Sequence, residues 1–212
     1  YNNFEDYNDM ASEPVRYEDY ALEFLQYTQM YDEIIAIHLS QYLSNTFYVA
    51  QRVCSEMQGK NNCRIEVVDS GQCSMGLGMI VLDAARASKE GKSFEQILFI
   101  ISRTQKKMNS YMAIPTLKYL KKNKKIGGVK ALFGLAMGVK PVLEMNEGKM
   151  VIKSKLFGNQ KNMILSMMDN IKDDVGGRPI SLSIIYAGNR NLVQNLRDVF
   201  ESTFDCRYVY IA

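Results

Sequence analysis

Ser44 and Thr46 stand at the end of His38-Leu39-Ser40-Gln41-Tyr42-Leu43-Ser44-Asn45-Thr46, where an apolar strand gives way to a helix. The first backbone N–H groups of a helix have no partners within it, and hydroxyls beside them prepare a seat for a carboxylate or a phosphate. Ser44 also suits the plainer role of a helix N-cap. A second turn, Asp69-Ser70-Gly71-Gln72-Cys73-Ser74-Met75-Gly76-Leu77-Gly78, carries glycines that permit tight bends and close backbone approach. It lacks the Gly-Lys-Ser/Thr ending of a P-loop and does not follow G-x-G-x-x-G. A third, Leu120-Lys121-Lys122-Asn123-Lys124-Lys125-Ile126-Gly127-Gly128, sets lysines beside glycines. Such a cluster could hold an anion or an acidic partner, or be a solvated charge run meeting a helix dipole.

Hydrolytic chemistry is poorly served. No G-x-S-x-G elbow exists, and His38 is the one histidine, so a Ser-His-Asp triad would have a single candidate base. Acids are scattered too evenly to mark a catalytic carboxylate pair. Cys54, Cys63, Cys73 and Cys206 include no C-x-x-C pair, so reduced thiols are expected and a metal site is not. Thirteen methionines suit an elongated apolar ligand as well as an ordinary core.

The elements that must position these turns follow from periodicity. Strands are expected at 32–37, 64–69 and 111–115, with helices at 46–57, about 75–89 and 94–108. Strand–helix alternation of this kind predicts parallel strands with helices packed outside, and ligands of such sheets bind beyond the carboxyl ends of the strands. Past Lys122 the pattern changes. Lys140–Met145 and Met150–Ser154 flank Asn146-Glu147-Gly148 as an antiparallel hairpin. A helix at about 159–171, a strand at 180–186, a helix at about 191–202 and a strand at 207–211 complete the chain. Two α/β domains are therefore expected, 1–122 with a mainly parallel sheet and 123–212 with a mixed sheet. The 212 residues are 47% hydrophobic with a net charge of +3 spread along the chain, which argues against nucleic-acid binding. No apolar run approaches the roughly 18 residues of a membrane span. The acidic, aromatic start from Tyr1 to Met10 is unlike a signal peptide, so a cytoplasmic protein without stable membrane insertion is expected.

Taken together, the strand ends resemble the DegV family of bacterial fatty-acid-binding proteins. Leu43-Ser44-Asn45-Thr46-Phe47-Tyr48-Val49-Ala50 is similar to the family's L-S-G-T-y-x-x-A turn. Asp69-Ser70 with Ser74-Met75-Gly76-Leu77-Gly78 resembles D-S-x-x-x-S-x-G-x-G, and Thr116-Leu117-Lys118-Tyr119-Leu120-Lys121-Lys122 resembles T-L-x-Y-L-K-K. Gly138 to Leu143 is similar to n-i-K-P-i-l, and Ser12-Glu13-Pro14 sits where the family has T-S-Q-P.

The resemblance implies two α/β domains with an acyl chain between them. It implies a carboxylate held by Ser44 first and Ser12 second, with Asn45 and Thr46 in the same turn. A bound fatty acid, palmitate- or stearate-like, takes the place of any cofactor. The family's partner is a separate fatty acid kinase, for which Lys124 and Lys125 would be docking residues, so the carrier itself is not an enzyme. A chain of about 16 carbons supplies about 12 kcal/mol of gross apolar driving force at roughly 0.8 kcal/mol per CH₂, reduced by association costs.

This sequence departs from the pattern in places. Ala11 replaces a threonine, Asn45 replaces a glycine, Asn123-Lys124-Lys125 replaces G-G-R, and an arginine usual after the hairpin is missing near Phe157. The family's opening D-S-T strand and closing H-x-G-P-G strand are also expected to be missing, as in a fragment. Two rival readings remain: an enzyme acting on an anionic small molecule, and a divergent interaction protein that binds no lipid.

Overall fold

The computed structural model describes residues 13–58, 62–114, 139–186 and 190–211. Strand β1 (Glu33–His38) runs parallel to β2 (Arg64–Asp69), paired from Glu33 opposite Arg64 to His38 opposite Asp69. Successive side chains leave opposite faces of a strand, and each face gathers its own helices. Ile34, Ala36, Ile65 and Val67 meet α1 (Tyr17–Met30) and α2 (Thr46–Met57) through Phe24, Val53 and Cys54. Ile35, Ile37 and Val68 meet α3 (Ser74–Lys89) and α4 (Phe94–Lys107) through Ile80, Ala84 and Ile101. Helix–sheet–helix layering results, as the alternating pattern predicts. At the start of α4, Ser93 accepts from the backbone of Gln96 while the Gln96 side chain accepts from the backbone of Ser93.

Helix α1 was not expected from the sequence. Its periodicity is blurred because Leu22 and Leu25 point outward while Phe24 is its one fully buried residue. No side chain caps its start at Arg16, so the usual boundary signal is missing too.

Strand β3 (Tyr111–Ala113) departs from the parallel series predicted for it. It pairs antiparallel with β4 (Val139–Asn146), which pairs antiparallel with β5 (Lys149–Phe157). The Met145 N–H also donates to the Ser110 carbonyl at 3.0 Å, extending the β3–β4 ladder. Val142, Leu143 and Met145 supply the buried face of this sheet, and a bulge lies between Val142 and Leu143. The hairpin turns on Glu147 and Gly148, whose φ values of +48° and +78° are those of the two-residue loop that matches strand twist.

Residues 13–157 form one compact unit and 158–211 another. The junction expected after residue 122 lies outside the described residues. In the second unit, β6 (Ile180–Ile184) runs parallel to β7 (Cys206–Ile211), with α5 (Gln160–Val175) and α6 (Arg190–Thr203) alongside in sequence. Asn159 caps α5 by accepting from the Asn162 N–H, and Gly176 ends it in the left-handed conformation. Among the described residues, Met163, Met168, Ile171, Ile184 and the stacked pair Phe200–Phe204 are its buried residues. The whole is α/β, with parallel and antiparallel sheets.

Candidate functional site

The carboxyl ends of β1 and β2 lie side by side, and each is followed by a buried serine, Ser40 or Ser70. The two turns are laced together. Ser40 N–H donates to the Gln72 carbonyl at 2.8 Å, and Ser70 N–H to the His38 carbonyl at 2.9 Å. Each serine hydroxyl also accepts from the backbone N–H two residues on, Tyr42 at 3.2 Å and Gln72 at 3.0 Å. Serine forms such local bonds readily, and they hold the chain in a turn as it leaves a strand.

Asp69 braces both turns with its carboxylate. It accepts from the Gly71 N–H at 2.9 Å, the Gln41 N–H at 3.3 Å and the Gln41 side-chain amide at 2.8 Å. The Tyr48 hydroxyl donates to the other end of Gln41 at 2.6 Å, which carries the bracing on to α2. Below the second turn, the buried Gln72 accepts from the Ser110 hydroxyl at 2.7 Å.

The sequence-expected hydroxyls sit on the first of these turns. Leu43 and Ser44 both donate their N–H groups to the Ser40 carbonyl, closing the bend. The Ser44 hydroxyl lies 2.9 Å from that of Thr46 and accepts from the Thr46 N–H at 3.2 Å. Two hydroxyls sharing one hydrogen bond leave one O–H free to donate to an outside acceptor. The N-cap position belongs to Asn45 rather than Ser44, and no side chain caps α2 there. Asn45 has φ −77°, a conformation open to any residue, so the turn does not require the glycine it lacks. Ser44, Asn45 and Thr46 are thus brought together; Ser12, Lys124 and Lys125 lie outside the described residues.

His38 has another occupation. Its Nε2 lies 2.6 Å from the Tyr20 hydroxyl, and the two rings are tilted against each other. Burial lowers its pKa, with Asp69 opposing, while burial raises that of Tyr20. A neutral imidazole held by a phenol is a packed polar pair, and no nucleophile is hydrogen-bonded to it among the described residues. Burial likewise pushes the Cys54 thiol up to about 11 and raises that of Cys73, so both stay protonated. Among the described residues there is no group of three or more His, Cys, Asp or Glu arranged to hold a metal ion. No described helix is long and apolar enough to cross a membrane.

Sequence reasoning missed the residues that join the first turn to the β4–β5 hairpin. The Ser40 hydroxyl donates to the Gly148 carbonyl at 2.5 Å across 108 residues of chain. The Lys149 ammonium stands 4.8 Å above the centre of the Tyr42 ring. The local signal was available: a serine follows each strand directly or after one residue. Its long-range partner was not.

A sequence profile described as "Uncharacterised protein, DegV family" matches residues 1–211. Curated relatives include a DegV domain-containing protein of Clostridium acetobutylicum, 32% identical over 174 residues, covering 82% of this chain and 61% of that one. Another, from Mycobacterium tuberculosis, is 29% identical over 153 residues, covering 72% of this chain and 53% of that one. The chain thus spans about half the length of such relatives. Among solved structures, a DegV family protein from Thermus thermophilus described as binding fatty acid superposes with a TM-score of 0.85 at 26% identity, over 98% of this chain and 75% of that one. DegV from Bacillus subtilis, 22% identical, shares the fold with a TM-score of 0.75, over 92% of this chain and 70% of that one.

Proposed function

Because the chain belongs to the DegV family, we propose that it binds a long-chain fatty acid and presents the carboxylate to a partner fatty acid kinase. It acts as a carrier and not as an enzyme. The observation that carries this reading is the turn after β1, where Ser44 and Thr46 set paired hydroxyls at a helix start that its N-cap residue Asn45 does not cap. Such a group suits a carboxylate because it offers an O–H donor and the positive end of a helix dipole together. The fatty-acid-binding protein of Thermus thermophilus, alike in fold and 26% identical, supports the choice of an acyl carboxylate over other anions. His38 supports a carrier over a hydrolase, since its Nε2 is engaged by Tyr20.

On this reading the acyl chain, palmitate- or stearate-like, lies in a tunnel between two domains, 1–122 and 123–212. Ser12 adds a second carboxylate contact, Asn45 shapes the turn, and Lys124 and Lys125 dock the kinase. The protein works in the cytoplasm. Mass spectrometry of lipid extracted from the purified chain tests the proposal. About one long-chain fatty acid per protein is expected, with Ser44→Ala weakening its retention. Lipid-free protein that ignores added palmitate would overturn it.

A further inference from the structure

The tip of the β4–β5 hairpin touches the Ser44 turn at three points. Ser40, fully buried, uses its one hydroxyl to accept from the Tyr42 N–H and donate to the Gly148 carbonyl. Gly148 is seated so closely that a Cβ there would stand 3.0 Å from Cδ2 of Tyr42 and 3.1 Å from the Ser40 hydroxyl. A Cβ on Gly71, in the neighbouring turn, would stand 3.7 Å from the backbone of Gly148. The Lys149 ammonium above the Tyr42 ring adds a cation–π contact. Glu147 holds φ +48°, a conformation that costs a residue with a side chain roughly 1 kcal/mol or more. Such strain persists where the surroundings over-determine the backbone.

Ser40 in turn determines where Ser44 stands, because its carbonyl accepts from both Leu43 and Ser44. We infer that the hairpin tip, through Gly148, Ser40 and Tyr42, is a positioning element that sets the Ser44 hydroxyl for a carboxylate and so gives the protein its preference for an acid headgroup. This rests on the fatty-acid reading above and extends it to residues more than a hundred positions away. Ser40, Tyr42 and Gly148 are positioning residues in this inference, not ligand contacts. They act by aiming a hydroxyl, and a donor misplaced by an ångström loses most of its value to a charged acceptor.

The test compares palmitate with 1-hexadecanol, which has the same tail and no carboxylate, by displacement of a fluorescent fatty acid from the full chain. The parent protein should favour the acid. Ser40→Ala and Gly148→Ala should each cut the acid-to-alcohol preference about tenfold, the scale of one hydrogen bond to a charged group, while alcohol affinity stays within about twofold. Tyr42→Leu, at a half-exposed ring, should shift the preference the same way and keeps the test open should a buried substitution prevent folding. Gly91→Ala is the control: φ there is +73°, and nothing lies within 4 Å of the added Cβ. In a Ser44→Ala background, Gly148→Ala should change the preference no further. An equal loss for acid and alcohol, or an undiminished preference in these variants, would overturn the inference while leaving fatty-acid binding intact. A parent protein that binds neither ligand, or both alike, would overturn the fatty-acid reading itself.

Discussion

The two turns that follow β1 and β2 begin with the same device and end differently. In each, a buried serine accepts from the N–H two residues on. Ser70 donates its own proton within its turn, to the Gln72 carbonyl at 3.3 Å, whereas Ser40 donates across the fold to Gly148. The second turn keeps its serine proton within itself and runs straight into α3. The first is tied to a distant hairpin and is followed by the hydroxyl pair at the start of α2. Equivalent local chemistry thus becomes either a structural corner or a candidate binding turn according to what the spare proton reaches.

The largest effect expected lies behind the second turn. Ile80→Ala, in a fully buried position of α3, should lower unfolding free energy in urea by about 3 kcal/mol through cavity formation. Val53→Ala, its counterpart in α2, removes less volume and should lose about 2 kcal/mol. Next come the serines. Ser40→Ala should lose about 2 kcal/mol, since it leaves the Gly148 carbonyl and the Tyr42 N–H without their hydroxyl, and Ser70→Ala about 1 kcal/mol. If urea midpoints showed Ser70→Ala to be the more damaging, the contrast between the turns would be wrong. Gly71→Ala should lose about 1 kcal/mol from its φ of +62°, because its Cβ would meet Gly148 only at ordinary contact distance.

The smallest effect is set by acid. His38, facing Tyr20 and Asp69, has a native pKa below the unfolded value of about 6.5. The unfolded chain therefore takes up this proton first, and His38 withdraws stability as pH falls from about 6.5 toward the lowered native value. Above that window its contribution is constant. Urea midpoints between pH 7.5 and 5 should drift downward on the acid side, and His38→Gln should flatten the drift; an unchanged slope would detach His38 from the stability of the first turn.

Much of the scaffold was legible because short elements carry strong local patterns. Helix α2 and strand β2 occupy 46–57 and 64–69 as periodicity predicts. The β-branched run of β1 is a strand whose two half-buried faces pack against two separate cores. Ser44 and Thr46 were legible too, since hydroxyls between a strand and a helix are a local feature. What escaped was either blurred or remote. Helix α1 has outward leucines and no cap; β3 was expected as a strand, and its antiparallel pairing escaped because its partner lies beyond a long intervening segment. The Ser40–Gly148 bond escaped for the same reason. A glycine in a hairpin announces a turn, and nothing beside it in the chain names the serine it will meet.

The glycines that meet between the hairpin and the second turn also decide where the chain will accept foreign sequence. Hairpin tips are usual places to graft an epitope or a fluorescent reporter. Here Gly148 abuts Ser40, Tyr42 and Gly71, so an insertion between Glu147 and Gly148 would pry the laced turns apart. The bend at Gly91, where an added carbon meets nothing within 4 Å, is the place to splice a label that leaves those turns undisturbed.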